Sequence, residues 1–326
     1  MTGLERGYRR LLWAYPADYR RERGDEIVGT YLDLAGPGRR RPSLADATDL
    51  VRGGLRQRLR AAGAPDLIPG VRLAGLLALT TAAFLAGFWL LAERHLPPAD
   101  AGVHVFGPFV SVGIVAWCAW LVAALLAAVA PGRPTRAAIA VALLVTAVLP
   151  AASLIAGVPR PPLLVLAPQV ALGVLTLLIA DHLPPSARAL PIAAAVVGAG
   201  VSYVMGFGSY WGAYRGGSEE FLPATGTVLL VVALLLAVGL GMRRDARGGW
   251  AVLALLTPVG LLNAHILAGA VDGLASGAPR PTYPTLVATG IAVGLIGPAL
   301  LPVAVALRRR LGSPPAEPCP TCGARR

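Results

Sequence analysis

Leu73-Ala-Gly-Leu-Leu-Ala-Leu-Thr-Thr-Ala-Ala-Phe-Leu-Ala-Gly-Phe-Trp-Leu-Leu-Ala92 runs for twenty residues without a charged side chain. As a helix, a stretch of about 20 apolar residues spans the ~30 Å hydrocarbon core of a bilayer, and with every backbone group bonded internally it needs no water. Comparable runs follow at approximately residues 109–130, 137–156, 163–180, 190–207, 222–242, 250–271 and 285–307. The pattern predicts an all-α protein, a polytopic transmembrane helix bundle of about 8 spans. Composition agrees: 56% of residues are hydrophobic and 14% charged, against roughly 45–50% and 25% in soluble domains.

The net charge of +12 is carried by arginine alone, because the sequence contains no lysine. That excludes a phosphate-loop lysine, a Schiff-base lysine and a lysine general base. The start, Met1-Thr-Gly-Leu-Glu-Arg-Gly-Tyr-Arg-Arg10, has no apolar core of a secretory signal, so insertion is expected to be directed by the first span. Short arginine-bearing loops stay on the cytoplasmic side. With the N-terminus inside, Arg133/Arg136, Arg188, Arg243/Arg244/Arg247 and Arg308/Arg309/Arg310 fall inside, and the isolated Arg94, Arg160, Arg215 and Arg280 outside. The alternation is consistent with an even number of spans and both termini in the cytoplasm.

Three parts follow from the composition: a helical Arg-rich module at residues 1–70, the bundle at 71–310 and a cytosolic tail at 311–326. In the module Leu4, Tyr8, Leu11, Leu12 and Tyr15 recur at helical spacing, and Pro16 breaks the run. Residues 18–34 place Ile27, Tyr31 and Leu34 on one predicted face. After the breaker Ala35-Gly-Pro-Gly-Arg-Arg-Arg-Pro42, Ser43-Leu-Ala-Asp46 reads as a capping box. The helix it opens carries Leu44, Ala47, Leu50, Val51, Leu55 and Leu59 towards one side. Acids at Glu22, Asp25, Glu26, Asp33, Asp46 and Asp49 interleave with the arginines, which argues against nucleic acid and for lipid headgroups or a protein as partner.

Tyr8-Arg-Arg-Leu-Leu-Trp-Ala-Tyr-Pro16, Tyr19-Arg-Arg-Glu-Arg-Gly-Asp-Glu26, Gly38-Arg-Arg-Arg-Pro-Ser43 and Asp49-Leu-Val-Arg-Gly-Gly-Leu-Arg56 together resemble the N-terminus of uncharacterised actinobacterial multi-pass membrane proteins. The arrangement is also similar to the helical prefix modules of some permeases and membrane signalling proteins. The resemblance covers about the first 65 residues. It implies a bacterial plasma-membrane protein whose residues 1–65 meet a cytosolic regulatory partner, and it supplies no catalytic residue.

Chemistry-bearing residues are few. Cys319-Pro-Thr-Cys322-Gly is a knuckle with zinc-ligand spacing, but it offers half of a tetrahedral site. Completion requires a second chain, in a zinc-linked homodimer, or His182; a reduced cytosolic tail without metal is the plainer reading. Asn263, His265 and Asp272 are polar residues of the seventh apolar segment, with His265, Gly269 and Asp272 on one helical face. They are the candidate ligand or proton site, set against an interhelical hydrogen bond from a neutral imidazole. Tyr203, Phe207, Tyr210, Trp211 and Tyr214 form an aromatic stripe near Glu219 and Glu220, which suits a membrane interface or a wall for an external ligand. Glu93, His95, Asp100 and His104 share an outer loop as possible metal ligands. Ser209 and His265 are faintly similar to the serine and histidine helices of rhomboid proteases, without the glycines or an oxyanion-stabilising helix.

No motif joins nucleophile, base and stabiliser, so an enzyme is not expected. No cofactor is expected beyond the zinc alternative. The expectation is a regulatory or sensing membrane protein whose N-terminal module docks a cytosolic partner, with a transporter or permease component as the alternative.

Overall fold

The computed structural model describes residues 2–36, 39–94, 105–177, 185–205, 214, 219–276 and 280–312. The chain divides into two compact units, Met1–Leu67 with Pro302–Arg326, and Ile68–Leu301. Among the described residues all regular elements are helices; an isolated bridge pairs Phe106 with Phe109.

The N-terminal unit holds α1 (Gly3–Leu11), a single 3₁₀ turn (Leu12–Ala14), α2 (Ala17–Leu34) and α3 (Leu44–Ala61). Thr2 caps α1 by accepting from the Glu5 amide at 3.2 Å. Ser43 and Asp46 form the expected capping box on α3, each side chain accepting from the other's backbone amide at 3.1 Å. Leu4, Tyr8, Leu12, Tyr15, Val28 and Leu50 close a small core.

The expected α2 face is kept in part and the expected α3 face is displaced. On α2 Gly24 and Val28 are buried and Ile27 and Tyr31 pack against the core, while Leu34 is 76% exposed. On α3 they are Leu50 and Gly54, while Leu44 is 89% exposed and Val51 and Leu55 are also exposed. On α3 the cause is glycine. A Cβ on Gly54 would lie 2.6 Å from the backbone carbon of Ala14, so α3 docks through its smallest residue and its larger ones turn outward.

Polar latches close this unit. Tyr8 Oη donates to Asp46 Oδ2 at 2.8 Å, Tyr31 Oη donates to Asp49, and Arg58 donates to the carbonyls of Ala14 (2.7 Å) and Trp13 (2.5 Å). The bonds from Tyr8 and from the Ser43 side chain and amide hold the Asp46 carboxyl below its ordinary value of 3.8. A depressed carboxylate stabilises the fold above its unfolded pKa, and that contribution is lost as pH falls through the folded value. The N-terminal unit should therefore loosen as pH drops below about 4. Tyrosine near-ultraviolet circular dichroism should record the loss, and Asp46→Asn should be weaker at neutral pH yet lack this acid-dependent step.

The second unit is an apolar bundle: α4 (Leu67–Ala92), α5 (Gly113–Val129), α6 (Arg133–Ala156), α7 (Leu163–Thr176), the short α8 (Pro185–Arg188), α9 (Leu190–Met205), α10 (Leu222–Gly241), α11 (Arg247–Leu262), α12 (Ala264–Ser276) and α13 (Tyr283–Gly312) as far as Leu301, the residues from Pro302 on belonging to the first unit. Among the described residues five helices are long and apolar enough to cross a membrane, or six when the bent pair α11 and α12 counts as one. α5 and α7 are shorter apolar helices. The outward faces are apolar too, with Val141, Leu144, Ile155, Val196, Leu235, Leu274 and Leu295 all exposed. Exposed apolar surface on this scale is compatible with lipid as solvent.

Inside, Trp89, Trp117, Trp120, Phe88, Leu79 and Leu85 are buried. Trp120 Nε1 donates to Thr146 Oγ1 at 3.0 Å, and Gln169 Nε2 donates to the Ala82 carbonyl at 3.2 Å. α4 and α9 cross with backbones almost touching, since a Cβ on Gly87 would collide with the Ala195 carbonyl and one on Gly198 with the Phe84 carbonyl. Such close approach is what small residues permit between packed helices.

The seventh apolar segment, expected as one span, bends by 67° between α11 and α12. Pro258 removes one amide from the ladder just before the bend. Asn263 then caps the break, its side chain and backbone nitrogens both donating to the Val259 carbonyl at 2.8 and 3.0 Å.

Candidate functional site

The chemical focus of the bundle is Glu93, immediately after α4, with a relative exposure of 0%. Its backbone continues the helix, its amide donating to the Trp89 carbonyl at 2.9 Å, and its own carbonyl accepts from the Val110 amide at 2.9 Å. That second bond returns the chain alongside α4 after a tight turn at residues 106–109, where Phe106 and Phe109 exchange backbone bonds and Gly107 adopts a φ of +57°. A left-handed backbone of this kind favours glycine.

The returning segment delivers Ser111. Its amide donates to Glu93 Oε2 at 2.6 Å, its hydroxyl donates to Oε1, and Ser111 Oγ accepts from the Gly113 amide at 3.1 Å. Gly113 has no room for a side chain, since a Cβ there would run into Pro161 and Glu93 Oε1. The turn between α6 and α7 is tied in by the Val112 amide, which donates to the Pro159 carbonyl at 3.0 Å. Tyr214 supplies the third donor, its hydroxyl bonding Glu93 Oε1. Its ring stacks on Trp89 with centroids 4.9 Å apart, and Trp89 lies 6.4 Å from Trp117.

The carboxyl is thus wrapped by aromatic rings and fed by donors. Burial pushes its pKa above the ordinary glutamate value, and the Ser111 and Tyr214 bonds pull back against that rise. Trp117 brings an indole N–H close enough to act in the same direction without the alignment of a full hydrogen bond. Burial likewise pushes the Tyr214 phenol up, so it remains a donor. Among the described residues the groups acting on Glu93 are hydroxyls, an amide and an indole, and no arginine. The described donors favour the ionised carboxylate and burial favours the protonated carboxyl, so the two effects oppose each other at one buried group.

Asn263 lies in the break between α11 and α12, against α10, where a Cβ on Gly226 would meet its amide. His265 is partly exposed in the first turn of α12. Asp272, two turns on, is bonded to the start of α13: it accepts from the Thr282 amide at 2.6 Å and the Thr285 hydroxyl at 2.7 Å. Among the described contacts the three residues do not bond one another. Cys319, Cys322, His95, Asp100, His104, His182 and Ser209 lie outside the described residues, as do Phe207, Tyr210 and Trp211 of the aromatic stripe. Of that stripe Tyr203 faces outward and Tyr214 inward. Among the described residues no group of three or more histidine, cysteine or carboxylate side chains is arranged to hold a metal.

Sequence reading named Glu93 and Tyr214 but assigned them to different features, and it did not name Ser111. The available signal was a lone acid abutting an uncharged apolar run, one turn after Trp89. No family model, curated protein or solved structure matches the chain.

Proposed function

We propose that this is a multi-pass protein of the bacterial plasma membrane, with about eight spans and both termini in the cytoplasm, whose N-terminal module docks a cytosolic regulatory partner while the bundle senses or anchors. The observation that carries this reading is the N-terminal unit itself. It closes its own core through tyrosine–aspartate and arginine–carbonyl latches, yet leaves Trp13 68% exposed under the Arg20 guanidinium, which sits 4.3 Å from the ring centroid. Leu44, Val51 and Leu55 remain exposed as well. A stable fold that displays apolar and cationic groups matches the chemistry of a docking surface.

The test is capture from cytosol by the full-length protein in lipid nanodiscs. One partner should bind stoichiometrically, and its affinity should drop about tenfold or more in Trp13→Ala, the range of an interface anchor. Recovery of the same proteins by a chain lacking residues 1–66 would remove the basis for this role.

A transporter component is the second reading, favoured by the broken α11/α12 pair and by Glu93, because discontinuous helices and buried ionisable groups mark transport pathways. Proton-coupled flux in proteoliposomes that is abolished by Glu93→Gln and reduced by His265→Ala would favour it over the regulatory reading.

A further inference from the structure

Besides the Glu93 centre, the bundle carries a crevice of about 640 Å³ between α7, the α11/α12 break and α13. Its walls are Leu164, Ala167, Leu261, Leu286, Gly290 and Ile291, all apolar. The polar side chains of its lining are Arg160 of the α6–α7 turn and Tyr283 at the first position of α13. From Tyr283 to Ile291 the groove runs for about 12 Å along α13, at 1.5 Å per residue. Leu261 and Ala264, on either side of the break between α11 and α12, both line it.

We infer that this crevice holds one acyl chain of a phospholipid whose anionic headgroup is bound by Arg160. The geometry is that of an amphiphile: a long apolar slot within the roughly 300–1,000 Å³ typical of ligand sites, opening at the helix ends where headgroups lie. The charge at the opening is complementary to an anion. Asp272 occupies the amide end of α13, and the one charged side chain among the residues lining the crevice is Arg160, beside the first turn of α7. Arg160 makes one described hydrogen bond, to the Pro161 carbonyl at 3.3 Å, out of the five a guanidinium can donate. Two parallel donors suit a phosphate diester. Tyr283, an amphipathic ring at a helix end, matches the same depth. The inference rests on the reading of the bundle as lipid-embedded, and goes beyond it by naming a site and its ligand class.

The full-length protein, reconstituted in nanodiscs containing phosphatidylcholine and phosphatidylglycerol with identical acyl chains and then extracted, is assayed for retained lipid by native mass spectrometry. Wild type should keep one phosphatidylglycerol with about tenfold preference, the scale of one charge-assisted contact. Arg160→Gln should retain one lipid of either kind without preference. Gly290→Leu, which fills the crevice at a position with nothing within 4 Å, should retain neither while keeping the wild-type circular dichroism spectrum. Soluble glycerol phosphate should not compete. Equal retention of the two lipids by wild type, an unchanged preference in Arg160→Gln, or displacement by glycerol phosphate would each overturn the proposal. A protein that enters nanodiscs without selectivity defeats the crevice alone, whereas one that stays dispersed in water without detergent defeats the membrane reading beneath it.

Discussion

Glu93→Ala should destabilise the bundle by about 3 kcal/mol or more. The substitution strips the acceptor from three donors, the Ser111 amide, the Ser111 hydroxyl and the Tyr214 hydroxyl. A buried donor left unpaired costs about 1–3 kcal/mol, and the space vacated by the side chain adds to that. Glu93→Gln keeps the volume and one acceptor oxygen but turns an N–H towards a donor, so its effect should be smaller, about 1–2 kcal/mol. Coupling is the sharper part of the expectation. Tyr214→Phe should cost about 1 kcal/mol in the wild type, yet be close to neutral or favourable once Glu93 is alanine, because the orphaned hydroxyl goes with it. Thermal circular dichroism in one detergent reads all four variants. If Tyr214→Phe has the same effect in both backgrounds, the two residues are not acting as one centre.

An effect of similar size is expected where α4 crosses α9. Gly87→Ala and Gly198→Ala each introduce a methyl group directly against a backbone carbonyl of the other helix, Ala195 for the first and Phe84 for the second. Backbone cannot swing aside as a side-chain tip can, so the helices must separate, at about 1–3 kcal/mol for each substitution. The two sites lie one turn apart on each helix, and a single outward shift relieves both. The double variant should therefore cost clearly less than the sum, an energy of interaction between neighbours rather than between distant sites. Fully additive losses would mean that the two glycines respond to separate distortions. Gly200→Ala, at a position with nothing within 4 Å, is the control and should leave stability within about 0.5 kcal/mol of wild type.

The apolar runs were legible because helix formation in an apolar environment is a local matter. Each expected segment recurs as an apolar helix, and α4 begins six residues before the stretch that announced it, at Leu67. The capping box at Ser43 and Asp46 was equally local and formed as read. What escaped was whatever depends on distant residues or on having no side chain at all. Glu93 meets Ser111 across 18 residues and Tyr214 across 121, and no periodicity joins them. The core face of α3 was misplaced because Gly54 contributes nothing to a hydrophobic pattern while deciding how closely the helix docks on Ala14. The 67° bend was hidden for a related reason: Pro258 and Asn263 were visible, but either is tolerated in a straight membrane helix.

The placement of the indole rings gives the chain its own built-in light source for each compact unit. Trp13 stands at the surface of one, while Trp89, Trp117 and Trp120 are enclosed in the other. A quencher confined to the aqueous phase therefore dims Trp13 and spares those three and the buried Trp250, so in a Trp211→Phe background a change at the N-terminal surface and one inside the bundle can be followed as separate emission changes without any added dye.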